Sequence, residues 1–248
     1  LFPYTTLFRS GLEDFKLETT TVWSFPQRGS WASHNPNYRG NWSPYVPRNV
    51  ILRYSKENDL VLDQFIGSGT TAVEALLLNR NIIGIDINPS AVEITKNNIK
   101  NISSQCRSRI LVHDACNLGF LKDESIDLIC THPPYRNIIK YSDDIKNDIS
   151  LLDESEFYTS MRKVAEESYR VLKKEKYLSF LMADIRKGGF IVPLGFNTLS
   201  IFMNVGFKLK ETAIKVQHNC SSTQKWIDKS RQYNFLLIAH EYLFVLKK

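Results

Sequence analysis

The sequence has no run of 18 consecutive apolar residues, so no segment is expected to cross a bilayer as a helix. It does not open on a basic stretch followed by an apolar core, so a cytoplasmic setting is expected rather than export. Cysteine is scarce: Cys106, Cys116, Cys130 and Cys220 are the four among 248 residues. None belongs to a C-x-x-C pair or lies at zinc-binding spacing from a histidine, which excludes a disulfide framework and a Cys/His metal centre as expectations. His34, His113 and His218 are too scattered to suggest a metal site. No serine sits at a nucleophile elbow, so a hydrolase triad has no support. Internal repeats and low-complexity stretches are missing too. Neither sign of charge dominates: 32 Lys and Arg against 26 Asp and Glu leave a net +6, compatible with nucleic acid without demanding it.

What is present is globular in kind, with 43% hydrophobic and 23% charged residues. The first ten residues, LFPYTTLFRS, resemble a translated sequencing adapter, and residues 1–10 are expected to lie outside the fold. Residues 11–50 form an aromatic and basic segment, loop-like over Thr19–Asn49. Residues 51–248 read as one α/β domain. There, DLVLDQF, NIIGIDI, RILVHDA, SIDLICT and KYLSFLMADI are apolar strands alternating with helical patterns. Two late strands, FKLKETAIKVQ and NFLLIAHEYLFVLKK, follow with no clear helix between them and are expected to pair antiparallel. Such alternation implies a mostly parallel seven-stranded sheet with helices on both faces, Rossmann-like, binding its ligand beyond the carboxyl ends of the strands.

Three strand ends carry chemistry. Asp63-Gln64-Phe65-Ile66-Gly67-Ser68-Gly69-Thr70-Thr71 is a glycine-rich turn opening a helix, whose free N–H groups and positive dipole end suit an anion. It reads either as a cofactor turn or as a tight βα connection. Asp86, 23 residues after Asp63, reads as an acceptor for two ribose hydroxyls or as a helix cap ahead of Asn88-Pro89. Asp114 reads as a partner for a nucleoside's adenine or as a turn-initiating residue. Thr131-His132-Pro133-Pro134-Tyr135 ends the fourth strand at a double proline that cannot continue a ladder. It reads as an acceptor-plus-aromatic corner for a planar amine or as a rigid strand exit.

Together, Asp63-x-Phe65-x-Gly67-Ser68-Gly69-Thr70-Thr71 and His132-Pro133-Pro134-Tyr135 resemble the S-adenosylmethionine-dependent amino-methyltransferases of DNA, which modify adenine N6 or cytosine N4. Thr21-Val22-Trp23-Ser24-Phe25-Pro26 and the late His240-Glu241-Tyr242 strand extend the likeness. The resemblance implies a class I methyltransferase domain over 51–248. It implies that Asp63, Phe65 and the Gly67, Ser68, Gly69 and Thr70 backbone hold the methionine end of S-adenosylmethionine. Asp86 would hold its ribose and Asp114 its adenine. The segment from about Asn41 to Tyr54 is similar to the cofactor-binding stretch that precedes the glycine turn. By the same resemblance, His132 and the Pro133 carbonyl, with Pro134, would accept from the target amine, and Tyr135 would stack on the flipped base.

Two positions depart from the family. His132 stands where Asp, Asn or Ser is usual, so activity is expected to fall as pH drops through the His132 pKa. Gln64 stands where Pro is usual, with an effect expected on the turn alone. DNA would be gripped by loops carrying Arg28, Arg39, Arg136, Lys140, Lys187, Lys225, Lys229 and Arg231 among Trp31, Trp42 and Trp226. DNA is the substrate implied, and whether a restriction endonuclease partners the protein is left open by the sequence. Two alternatives stand beside this reading: an RNA guanine-N2 methyltransferase, and a non-catalytic module that binds S-adenosylmethionine and nucleic acid.

Overall fold

The computed structural model describes residues 15–35, 38, 40–135, 145, 147–219 and 221–248, with backbone alone over 221–224. A short strand, β1 (Val22–Ser24), and a helix, α1 (Tyr45–Tyr54), precede the alternation. The segment read as loop-like therefore carries a strand and the start of a helix. Then come β2 (Leu60–Asp63), α2 (Thr70–Leu77), β3 (Asn81–Asp86), α3 (Pro89–Ile99), β4 (Ser108–Val112) and β5 (Ile126–Thr131). Next are α4 (Glu154–Val171), β6 (Leu172–Met182), a hairpin of β7 (Ile185–Lys187) and β8 (Phe190–Val192), and α5 (Leu194–Val205). The chain continues through β9 (Lys208–Val216), α6 (Ser221–Gln232) and β10 (His240–Lys247).

Local chemistry explains the boundaries. Asn88 caps α3 by accepting from the Ser90 N–H, and Pro89 fills the first helical position, where its missing donor costs nothing. Asp153 and Glu156 form a reciprocal capping box at the start of α4. Gly206 ends α5 with φ +127°.

Eight strands form one sheet in the order β1-β9-β10-β6-β5-β2-β3-β4. From β6 to β4 every pair is parallel, as is β1 with β9. β10 runs antiparallel to both neighbours, β9 and β6. This is the class I methyltransferase layout, widened by one edge strand over the seven expected. The late strands do pair antiparallel, but a helix lies between them, which corrects the expectation of none. SSTQKWIDKSRQ escaped notice because Trp226 and Ile227 are its apolar residues and no apolar stripe recurs at helical spacing. Trp226 stays 48% exposed.

Helices cover both faces. Val46, Val50 and Ile51 of α1 pack with Ala72, Ala75 and Leu76 of α2 and Val92 of α3 on one side. Phe157, Met161, Val164 and Ala165 of α4 pack with Leu199 and Phe202 of α5 on the other. Each large side chain buried in this way contributes about 1.5–3 kcal/mol. The chain order reverses between β2 and β5, which lie side by side, so a crevice opens where both strands end. Among the described residues no helix is long and apolar enough to cross a membrane.

Candidate functional site

A cavity opens at that reversal. The glycine turn contributes Phe65, Gly67 and Ser68 to its wall, and the double-proline corner contributes His132 and Pro134. Asp86 and Asp114 line it from the ends of β3 and the turn after β4. The two motifs therefore share one cavity. Pro133 is buried and does not line it, nor do Asp63, Gly69, Thr70 or Tyr135.

Asp63 is 1% exposed and works as a strut. Its Oδ2 accepts from Thr71 at 2.5 Å, and its Oδ1 from the Phe65 N–H at 3.0 Å and Thr131 at 2.7 Å. Thr131 immediately precedes His132, so this carboxylate ties the cofactor-type turn to the proline corner. Burial pushes the Asp63 carboxyl up to about 6, against the pull of those hydrogen bonds. Gly67 and Gly69 take φ +52° and +87°, which a side chain would strain. A Cβ on Gly69 would sit 2.8 Å from Thr95 Cγ2, and one on Gly67 3.3 Å from the Tyr38 ring. From α3, Thr95 and Asn98 donate to the Gly67 and Ser68 carbonyls, holding the turn shut against the helix. Gln64, 1% exposed, accepts from Ser168 of α4, so its reach extends beyond the turn.

The donor set suits a nucleoside. Asp86 accepts from the Asn88 N–H through Oδ1 and the Gly67 N–H through Oδ2, each at 2.9 Å. Each oxygen keeps a further lone pair, enough for two hydroxyls. Asn88, not Asp86, caps the helix. Asp114 accepts from the Cys116 N–H at 2.8 Å and weakly from Asn147 at 3.3 Å, leaving room for an amine. Burial raises the Asp86 carboxyl above its ordinary value. Tyr38, Ile87 and Ile149 supply apolar wall between these carboxylates.

At the proline corner, His132 stacks on Trp42, with ring centroids 5.3 Å apart and planes 16° apart. Its Nε2 lies 3.0 Å from the Tyr135 hydroxyl, which donates to Glu241 Oε1 at 2.7 Å. Lys215 holds the other oxygen of Glu241 at 2.8 Å. Burial pushes the His132 imidazole down to about 4, although Glu241 pulls the other way. Protonation of the ring is thereby disfavoured, and the fall-off expected through the His132 pKa is displaced below the ordinary histidine value. Tyr135 packs edge-on against His132 at 76° and does not face the cavity.

The N-terminal segment is brought over the cavity by one buried carboxylate. Glu74 of α2 is fully buried and accepts from Trp31 Nε1 at 2.7 Å. His34 Nε2 and Arg48 Nε each lie 2.7 Å from its oxygens. Arg28 donates to the Asn41 and Trp42 carbonyls at 2.7 and 2.8 Å, and Thr70 donates to the Asn41 side chain. Arg28, expected at a phosphate, thus organises the wall that holds Tyr38, Asn41 and Trp42. Lys225 and Arg231 lie exposed on α6, and Lys229 sits 4.6 Å from the Trp226 ring centroid. Arg39, Arg136 and Lys140 lie outside the described residues. Among the described residues no cluster could hold a metal ion. Sequence reasoning missed Glu74 and Lys215. It met Glu241 only within the likeness of the last strand.

Comparison with known proteins agrees with this geometry. Residues 55–236 match a methyltransferase-domain family and residues 4–97 a DNA methylase family. The Type II methyltransferase M2.LlaDCHI of Lactococcus lactis is 42% identical over 66 residues, 27% of this chain and 23% of that protein. A tRNA (guanine(10)-N2)-dimethyltransferase of Methanothermobacter thermautotrophicus is 34% identical over 99 residues, 40% of this chain and 29% of that protein. The chain therefore spans under a third of the length of these relatives. Among solved structures, TrmN from Thermus thermophilus superposes with a TM-score of 0.57 at 16% identity, covering 85% of this chain and 50% of that one. An S-adenosylmethionine-dependent methyltransferase from Methanosarcina mazei gives 0.56 at 16%, covering 80% and 96%. The fold is that of the class I methyltransferases. The chain belongs to the methyltransferase-domain family.

Proposed function

We propose that this protein is a site-specific DNA methyltransferase that transfers a methyl group to the exocyclic amine of adenine (N6) or cytosine (N4), by direct in-line attack from a flipped base. The observation that carries the reading is the shared cavity, with the glycine turn and the proline corner cross-braced by the Thr131–Asp63 hydrogen bond. The residues fit S-adenosylmethionine: Asp86 would hold the ribose hydroxyls, Asp114 the adenine amine, and the Gly67-Ser68 backbone the methionine end. The cradle at Gly67 is one that a Cβ would crowd against Tyr38. When bound, the cofactor supplies an electrophilic sulfonium methyl with a neutral leaving group.

The chain's own work lies on the amine side. An exocyclic amine delocalises its lone pair into the ring and attacks poorly. His132, which lines the cavity, would accept one of its hydrogens, favour a pyramidal nitrogen and stabilise the positive charge that grows there. Much of the remaining acceleration is positioning. Trp42, stacked on His132 at the cavity wall, keeps the acceptor in one plane. Extruding the base costs a few kcal/mol, which contacts inside the pocket must offset. Lys225, Lys229 and Arg231 on α6 would meet the phosphate backbone.

Mass spectrometry of nucleosides from DNA incubated with the protein and S-adenosylmethionine tests the proposal. N6-methyladenine or N4-methylcytosine is the expected product. The match to a tRNA guanine-N2 enzyme over 40% of this chain supports a second reading, so tRNA belongs in a parallel reaction. N2-methylguanine appearing in tRNA alone would replace the DNA reading. Cofactor binding with no transfer to either would leave a non-catalytic module.

A further inference from the structure

We propose that Lys215, Glu241 and Tyr135 form a hydrogen-bonded chain that locks His132 in its Nε2–H tautomer, making Nδ1 the atom that receives the substrate amine. The inference rests on the methyltransferase reading and adds three positioning residues to the same site. It concerns His132, one of the two positions where this sequence departs from the pattern it resembles. An Asp, Asn or Ser presents a lone pair in any state near neutrality, whereas an imidazole offers one only on its unprotonated nitrogen. Replacing such a residue by histidine therefore creates a new requirement, namely a choice of tautomer.

The geometry makes that choice. Glu241 is 7% exposed on β10, and Lys215 lies directly opposite it on β9. Lys215 balances the carboxylate charge at 2.8 Å, so a second cation is not needed to stabilise Glu241. A carboxylate has no hydrogen to give, so the single hydroxyl hydrogen of Tyr135 must point at Oε1, 2.7 Å away. Toward His132 the Tyr135 oxygen can then only accept. Nε2, 3.0 Å from it, must be the donor. A neutral ring carries one such hydrogen, which leaves the lone pair on Nδ1. Stacking on Trp42 fixes the ring plane and so the direction in which that lone pair points. Three strands, β5, β9 and β10, contribute to the arrangement, which is why it is invisible at the level of a local motif.

The test reads the tautomer without reference to activity. Protein labelled with ¹⁵N-histidine is studied by long-range ¹H–¹⁵N correlation at neutral pH, with His132→Asn assigning the His132 signals among the five histidines. A neutral ring protonated at Nε2 is expected, and Tyr135→Phe should convert it to a tautomer mixture. A proton on Nδ1 in the unmodified protein would overturn the proposal, whatever the fate of the variant. In turnover, Tyr135→Phe should lower kcat on the order of tenfold, the worth of one lost hydrogen bond, with the cofactor KM unchanged. In a His132→Asn background the same change should cost about twofold or less, because Asn has no tautomer to set. Equal penalties in the two backgrounds would reduce Tyr135 to a packing residue. If Nε2–H is found but neither DNA nor tRNA is methylated, the lock stands and the proposed function falls. If the protein methylates DNA while carrying Nδ1–H, the function stands and the lock falls.

Discussion

A histidine at the acceptor position raises the question of pH, and its surroundings answer it. His132 is wrapped by Trp42 and Tyr135 and faces the charges of Glu241, Lys215 and Arg28, with desolvation outweighing the pull of Glu241. Its folded-state pKa of about 4 lies below the ordinary 6.5, so the unfolded chain binds this proton more tightly than the native one. The contribution of His132 to stability is therefore complete above pH 6.5 and is lost as pH falls from there toward 4. Activity follows a different rule, since the native ring remains an acceptor well below the ordinary histidine pKa. Between pH 5.5 and 8 the kcat/KM profiles of the unmodified enzyme and His132→Asn should share one shape. Urea unfolding should show the unmodified protein losing more stability than His132→Asn between pH 6.5 and 4.5. An acid-side inflection confined to the unmodified enzyme would mean that the imidazole titrates in the working range. Asp86, Asp114 and His132 were legible as site residues because each ends a strand or its exit turn, where an α/β sheet presents its ligands. Glu241 and Lys215 were not, because their partnership is a cross-strand register, and no spacing along the chain announces it.

Two elements carry the proposed recognition surfaces, and each depends on few groups. The N-terminal segment reaches the cavity because Glu74 on α2 gathers Trp31, His34 and Arg48. Removing one partner of a buried ion pair leaves the other charge uncompensated, at a cost of about 3–5 kcal/mol. Glu74→Ala should lose stability of that order in urea unfolding, with limited proteolysis opening first between residues 15 and 44. Proteolysis beginning elsewhere would show that other contacts anchor the segment. Helix α6 is the opposite case, polar and held lightly. Its Lys225, Lys229 and Arg231 stand exposed, and Arg231 pairs only loosely with Asp228, at 3.7 Å. Replacing all three by alanine should weaken DNA binding and reduce the slope of log affinity against log salt by about 2–3, leaving cofactor binding intact. An unchanged slope would move the DNA contact to another face. That helix was illegible for the reason that makes it useful here: a helix without a core-facing apolar stripe leaves no periodicity to detect.

At the scale of the whole molecule, the order of the strands turns separate motifs into one site. The apolar runs of β2, β3 and β5 announced the parallel core because strands buried on both faces must be continuously apolar. The place of β10 between β9 and β6 could not be read, because it depends on which long-range pairing wins. That order sets the carboxyl ends of β2 and β5 side by side, with the N-terminal segment closing over them. A ligand filling the cavity should therefore couple regions far apart in sequence. S-Adenosylhomocysteine, the demethylated product, at one hundred times its Kd should raise the unfolding free energy by about 2.7 kcal/mol. Asp86→Ala should diminish that gain, and Gly67→Val should remove it, since a side chain at φ +52° would be strained and would crowd Tyr38. Hydrogen exchange locates the coupling: added ligand should slow exchange at the glycine turn, around Asn41 and Trp42, and at Thr131 and His132 together. Protection confined to the glycine turn and the ends of β3 and β4 would mean that the proline corner is not part of the same binding unit, and the argument for transfer across a shared cavity would fail with it.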